Sequence, residues 1–136
     1  MPGYEVIDKS EEKEVSSIFK KGGGVLFRQG FENLRNNSFK VNRFEKDFKK
    51  MFNSRYALAV TSGTSALRIA LASKKIGIGD EVITQSFTFV ATVEAIVESG
   101  AKPICTEIDS TLNMCVEDLK KKITKKTKVV IVVHML

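Results

Sequence analysis

The chain has 136 residues, one domain's worth of sequence, of which 43% are hydrophobic and 28% charged. With 9 Gly and 2 Pro, that composition excludes disordered, collagen-like and low-complexity proteins. A net charge of +6, from 22 Lys and Arg against 16 Asp and Glu, suits nucleic acid, an anionic surface or an acidic small molecule.

The longest apolar stretch, Val129 to Leu136, is interrupted by His134. It falls far short of the roughly 20 residues a bilayer span needs, so no membrane partner is expected. The opening MPGYEVI has no basic and then apolar leader. Cys105 and Cys115 fit neither a disulfide framework nor a metal pair. A reduced, cytoplasmic setting without a bound metal is the expectation.

In chain order, Ser10 followed by Glu11 and Glu12 reads as a helix start, with Ser10 as the N-cap and acids facing the dipole. Val15, Ile18 and Phe19 give that helix one apolar stripe, and Gly22-Gly23-Gly24 would end it. Val25 to Ser38 is irregular, a surface arm or a loop that reaches a site. Val41, Phe44, Phe48 and Met51 then repeat at helical spacing up to Asn53-Ser54. This divides the chain into an N-terminal helix and arm, 1–38, and a following domain, 39–136.

From Tyr56 the pattern alternates. Tyr56 to Val60 reads as a short buried strand, Thr61 to Thr64 as a tight loop, and Ser65 to Leu71 as a helix. Strands at Glu81–Thr84, Pro103–Ile108 and Lys128–Val133 are separated by helices at Thr88–Ser99 and Val116–Ile123, with Gly100 capping the first. Alternation of this kind specifies an α/β fold, a mainly parallel sheet flanked by helices. The chain stops on a β-branched strand, so the sheet is expected to be incomplete and the chain to be the front part of a longer protein.

Two stretches carry chemistry. In Thr61-Ser62-Gly63-Thr64-Ser65 a strand delivers the chain to the carboxyl edge of a parallel sheet, and a helix starts there. Free amides of the first turn, the hydroxyls of Thr64 and Ser65 and the helix dipole can together hold a phosphate. The same residues can equally serve only to cap the helix. The Walker spacing with its lysine and the GxGxxG pattern are both absent. In the second stretch, Gln85 to Thr92, Phe87 and Phe89 can offer a flat stacking surface or pack in the core. A phosphate loop beside a stacking aromatic suggests a planar phosphorylated cofactor. The six lysines between Lys120 and Lys128 lack interleaved aromatics, so a solvated helix end is favoured over a nucleic-acid footprint.

The runs AVTSGTSALRIAL, GIGDEVITQSFTFVATVEAI, GAKPICTEID and KKTKVVIVVHML, in this order and spacing, resemble the DegT/DnrJ/EryC1/StrS sugar aminotransferases. These are fold-type-I enzymes that use pyridoxal 5′-phosphate. The opening MPGYEVI, the Phe27-Arg28 arm and the ending VHML look most like the 8-amino-3,8-dideoxy-octulosonate transaminases. The resemblance implies that residues 39–136 are the first part of the cofactor-binding large domain. It implies Gly63, Thr64 and Ser65 as phosphate ligands, Phe89 as the aromatic over the pyridine ring, and Phe87 as pocket wall or core. It also implies a keto-sugar substrate, an amino-acid donor such as glutamate, products feeding surface polysaccharide, and a homodimer. The catalytic lysine and the acid that holds the pyridine nitrogen protonated fall, in the family, beyond the position matching Leu136. No catalytic residue is therefore assigned, and the chain alone is expected to be inactive.

Arg28 could capture a carboxylate of substrate by a bidentate contact, and His134 could meet substrate at the sheet edge. Ordinary surface charge and a satisfied core histidine are the alternatives. Rival functions are a sugar dehydratase of the same family, a non-catalytic phosphate or nucleotide module, and a basic nucleic-acid binder.

Overall fold

The structure is a computed structural model in which residues 6–21 and 32–134 are described. Gly22 to Gly24, Phe27 and Arg28, and the final Met135 and Leu136 lie outside the described residues. The chain divides after Ala59 into two compact units.

The first unit holds α1 (Lys9–Lys21), a 3-10 turn (Asn33–Arg35) and α2 (Lys40–Met51). Asp8, and not Ser10, begins α1. Its carboxylate accepts from the Ser10 amide at 2.6 Å, and Glu11 reaches back to accept from the Asp8 amide at 2.8 Å. This reciprocal pair satisfies two otherwise orphaned donors, which a single serine hydroxyl could not do. The hydrogen bonds from Ser10 hold the Asp8 carboxyl below the usual carboxylate range. Phe44, Phe48 and Phe52 stack along α2, with centroids 5.8 Å and then 4.4 Å apart. The ammonium of Lys40 pairs with Glu14 of α1.

The strand expected at Tyr56 to Val60 is not formed. Those residues carry no strand assignment, and Tyr56 and Leu58 are largely exposed. A strand exists only through its ladder, and among the described residues no neighbouring strand is offered to this segment.

The second unit contains α3 (Gly63–Ser73), β1 (Glu81–Gln85), α4 (Val90–Glu98), β2 (Lys102–Thr106), α5 (Val116–Lys122) and β3 (Thr127–Ile131). The three strands form one parallel sheet in the order β2-β1-β3. Central β1 is buried on both faces, which is why its sequence, EVITQ, shows no polar alternation. Register places Val82, Pro103 and Val129 side by side, with Ile83, Ile104 and Val130 on the opposite face. Leu71 of α3 and Ala95 and Ile96 of α4 close over Val82 to make the core, joined by Val129 and Ile131. Right-handed crossovers put α4 and α5 on opposite faces of a sheet in this order.

Two devices set the connections. Gly100 ends α4 with φ +84°, and a Cβ there would approach Ile78 Cγ1 to 3.1 Å. At the other end, Lys122 of α5 donates to the Cys105 carbonyl at 2.7 Å and pairs with Asp118 at 2.8 Å, while Asp118 accepts from the Glu107 amide at 2.8 Å. Hydrogen bonds from Lys122 and then Glu107 hold the Asp118 carboxyl below its ordinary range, and the Asp118 partner raises Lys122. Among the described residues no helix is long and apolar enough to cross a membrane, and no group of His, Cys, Asp or Glu could hold a metal.

Replacing Gly100 with alanine forces a left-handed residue to carry a Cβ, so stability should fall by about 1–2 kcal/mol in a denaturant titration. A depressed folded pKa means that the stabilisation from Asp118 is complete above about pH 4 and fades as pH falls through the folded value. The raised Lys122 gives the opposite sign, its share persisting below about pH 10 and fading above it. Melting temperatures of Asp118→Asn and the parent should therefore converge at acid pH and separate near neutrality.

Candidate functional site

Parallel α/β sheets bind ligands outside the carboxyl ends of their strands, where the strand order reverses. In the order β2-β1-β3 that point lies beyond the ends of β1 and β3. Helix α3 ends before the turn at Gly77 to Asp80 that feeds the start of β1, and α4 begins just after β1 ends. Both helices therefore return along the sheet with their N-termini at its carboxyl edge.

Helix α3 starts at Gly63, two residues earlier than expected. Ser62 is its N-cap, in extended conformation, with Oγ accepting from the Ser65 amide at 3.1 Å. The Ser62 carbonyl takes the Ala66 amide at 3.0 Å. The capping reading is formed, and the cap consumes the amides of Ser65 and Ala66 only. The amides of Gly63 and Thr64 have no acceptor among the described residues. No acid occupies this first turn, so the helix's positive end is not offset there by a carboxylate. With the Ser65 amide taken by the cap, its hydroxyl remains at the helix mouth, with Oγ 3.0 Å from Ser62 Oγ and 3.5 Å from Thr61 Oγ1.

Gly63 sharpens the picture. Its φ lies outside the left-handed region, and a Cβ built on it would meet nothing within 4 Å. Among the described residues, neither backbone strain nor packing calls for glycine there. The open space beside two unpaired amides fits a phosphate group approaching the backbone closely, and a Cβ would intrude on it.

Phe89 is the N-cap residue of α4 and is 70% exposed, whereas Ala91 and Thr92 behind it are buried. Phe87 is partly exposed at 38%. The connection carrying both rings is fastened at three points. The Ser86 amide donates to the Thr106 carbonyl at 2.9 Å, the Phe87 carbonyl accepts from Gln85 Nε2 at 3.1 Å, and Thr88 Oγ1 bonds Thr92 Oγ1 at 2.8 Å. A large apolar ring is thereby held out in solvent on a fixed backbone, as a stacking surface requires. His134 follows β3 at the same edge and is exposed. Arg28 lies outside the described residues.

Gln85 was not singled out by sequence reasoning. It is fully buried, and two of its three amide bonds are to main-chain groups 27 and 48 residues away, which no local pattern records.

A helix mouth with two unpaired amides and an exposed aromatic lie at the carboxyl edge of the parallel sheet of an α/β protein. The family model for the DegT/DnrJ/EryC1/StrS aminotransferase family matches residues 31–136, and the chain belongs to that family. It is 45% identical over 96 residues to GDP-perosamine synthase of Vibrio cholerae, covering 70% of this chain and 26% of that protein. The fold superposes on 3-amino-5-hydroxybenzoic acid synthase with a TM-score of 0.81 at 33% identity, over 98% of this chain and 32% of the other. It also superposes on NtdA of Bacillus subtilis, solved with bound cofactor PMP, with a TM-score of 0.75 at 28% identity. That match covers 95% of this chain and 28% of NtdA. The chain thus spans about a quarter of the length of the curated relatives it matches.

Gly63→Ala should leave the fold intact or raise stability by up to about 1 kcal/mol, since alanine is the better helix former. Inorganic phosphate affinity should nonetheless fall roughly 10- to 100-fold, the equivalent of one charged hydrogen bond. A melting curve paired with a phosphate titration measures both.

Proposed function

We propose that the protein carrying this chain is a pyridoxal-phosphate-dependent sugar aminotransferase that moves an amino group from an amino acid such as glutamate to a keto sugar. Its products would feed surface-polysaccharide synthesis. The observation that carries this reading is the pair of unpaired amides at Gly63 and Thr64, with open space at the Gly63 α-carbon, at the same sheet edge as the exposed Phe89 ring. Residues 39–136 would form the first part of the cofactor-binding large domain, and residues 1–38 a helix and arm.

Pyridoxal phosphate, when bound, supplies an electron sink for the carbon that carries the amino group. The residues of this chain have positioning duties. The Gly63 and Thr64 amides, with the Ser65 hydroxyl, would bind the dianion. The Phe89 face would lie against the heterocycle, so that two anchors fix both the place and the tilt of the ring. His134 at the sheet edge, and Arg28 on the arm, would meet the substrate or its carboxylate. No group in this chain is assigned to move the substrate proton, because the resemblance places the lysine and the acid beyond Leu136. A cytoplasmic homodimer completes the reading. The endings that look like the octulosonate branch make an eight-carbon keto sugar acid the first substrate to test.

The 136-residue chain mixed with pyridoxal phosphate, glutamate and a keto sugar should form no amino sugar, while the protein that carries it should. Amine formation by the 136-residue chain, followed by mass spectrometry, would contradict the division of labour proposed here.

A further inference from the structure

Buried polar side chains in a sheet are costly unless every arm is satisfied, and at the candidate site the side-chain amide of Gln85 spends its arms on main chain. It is the last residue of β1 and is fully buried. Its Nε2 donates to the Phe87 carbonyl at 3.1 Å and to the Leu112 carbonyl at 3.3 Å. Its Oε1 accepts from the Val133 amide at 3.2 Å. One amide therefore ties together the connection that carries Phe89, the loop after β2, and the segment after β3 that leads to His134.

We infer that Gln85 is a positioning residue that sets the aromatic platform, so that the ring of a bound cofactor, and not its phosphate, depends on this buried amide. The inference rests on the proposed cofactor reading and deepens it. The argument is one of arms and distances. The phosphate grip sits on α3, whose N-terminal hydrogen bonds stay within residues 61 to 66 and do not involve Gln85. The platform sits two residues beyond Phe87, whose carbonyl is held by Gln85. Removing the two N–H donors would leave the Phe87 and Leu112 carbonyls without that partner and release the connection between β1 and α4. Gln85→Met keeps the bulk and deletes every arm. Gln85→Glu keeps an acceptor for the Val133 amide and deletes both donors.

The test compares the affinity of the apo protein for pyridoxamine phosphate, which needs no Schiff base, with its affinity for inorganic phosphate. Gln85→Met and Gln85→Glu should each weaken pyridoxamine phosphate roughly three- to tenfold, as loss of buried hydrogen bonds would, with phosphate binding within twofold of the parent. Phe89→Ala should show the same split. Parallel loss of both ligands, or unchanged pyridoxamine phosphate binding in the Gln85 variants while Phe89→Ala loses it, would overturn the inference. An unaffected Phe89→Ala would instead remove the platform reading itself. Hydrogen exchange of the unmodified apo protein covers the case of variants that do not fold. The Val133 amide should be protected without ligand, and exchange at an open-loop rate would overturn the inference.

Discussion

Everything at the candidate site follows from two backbone N–H groups left without acceptors. A helix must begin somewhere, and its first turn always offers unpaired amides. Here Ser62 takes the amides deeper in the turn and leaves those of Gly63 and Thr64 facing outward. Placed at the carboxyl edge of a parallel sheet, with no acid in the turn and no side chain on Gly63, that pair is the positive end on which the proposed dianion contact rests. The grip proposed here is made of backbone amides and a hydroxyl, and is separate from the lysines between Lys120 and Lys128.

The rest of the unit holds this edge in place. Central β1 is buried on both faces, and the α3 and α4 helices share the core around Val82. Because apolar packing is non-directional, it sets where the helices lie but not the fine aim of a ring. Directional polar contacts do the aiming: Gln85, the Ser86 amide and the pair Thr88 and Thr92 fasten the backbone that carries Phe89. The exposed Phe89 ring on this fastened backbone forgoes hydrophobic burial, which a flat ligand lying over it, as proposed, would restore.

Much of this was legible in the sequence. Alternating runs from Glu81 to Ile131 announced the parallel sheet, and Thr61 to Ser65 announced a helix mouth, because both signals are local in the chain. The N-cap of α1 was misread as Ser10 because Asp8 and Glu11 act as a reciprocal pair, while a single-residue rule sees only the serine. Tyr56 to Val60 looked like a strand because its composition is that of one, yet a ladder depends on neighbours that composition does not specify. Gln85 was invisible for a related reason. Its partners lie 2, 27 and 48 residues away, and glutamine between apolar neighbours reads only as an interruption.

The most direct test of the central claim is amide spectroscopy of the apo protein during titration with pyridoxamine phosphate. Hydrogen bonding to a dianion should move the Gly63 and Thr64 amide protons downfield, while the Ala66 amide, already bonded to the Ser62 carbonyl, stays in place. Saturable binding that leaves both Gly63 and Thr64 unshifted would contradict the account.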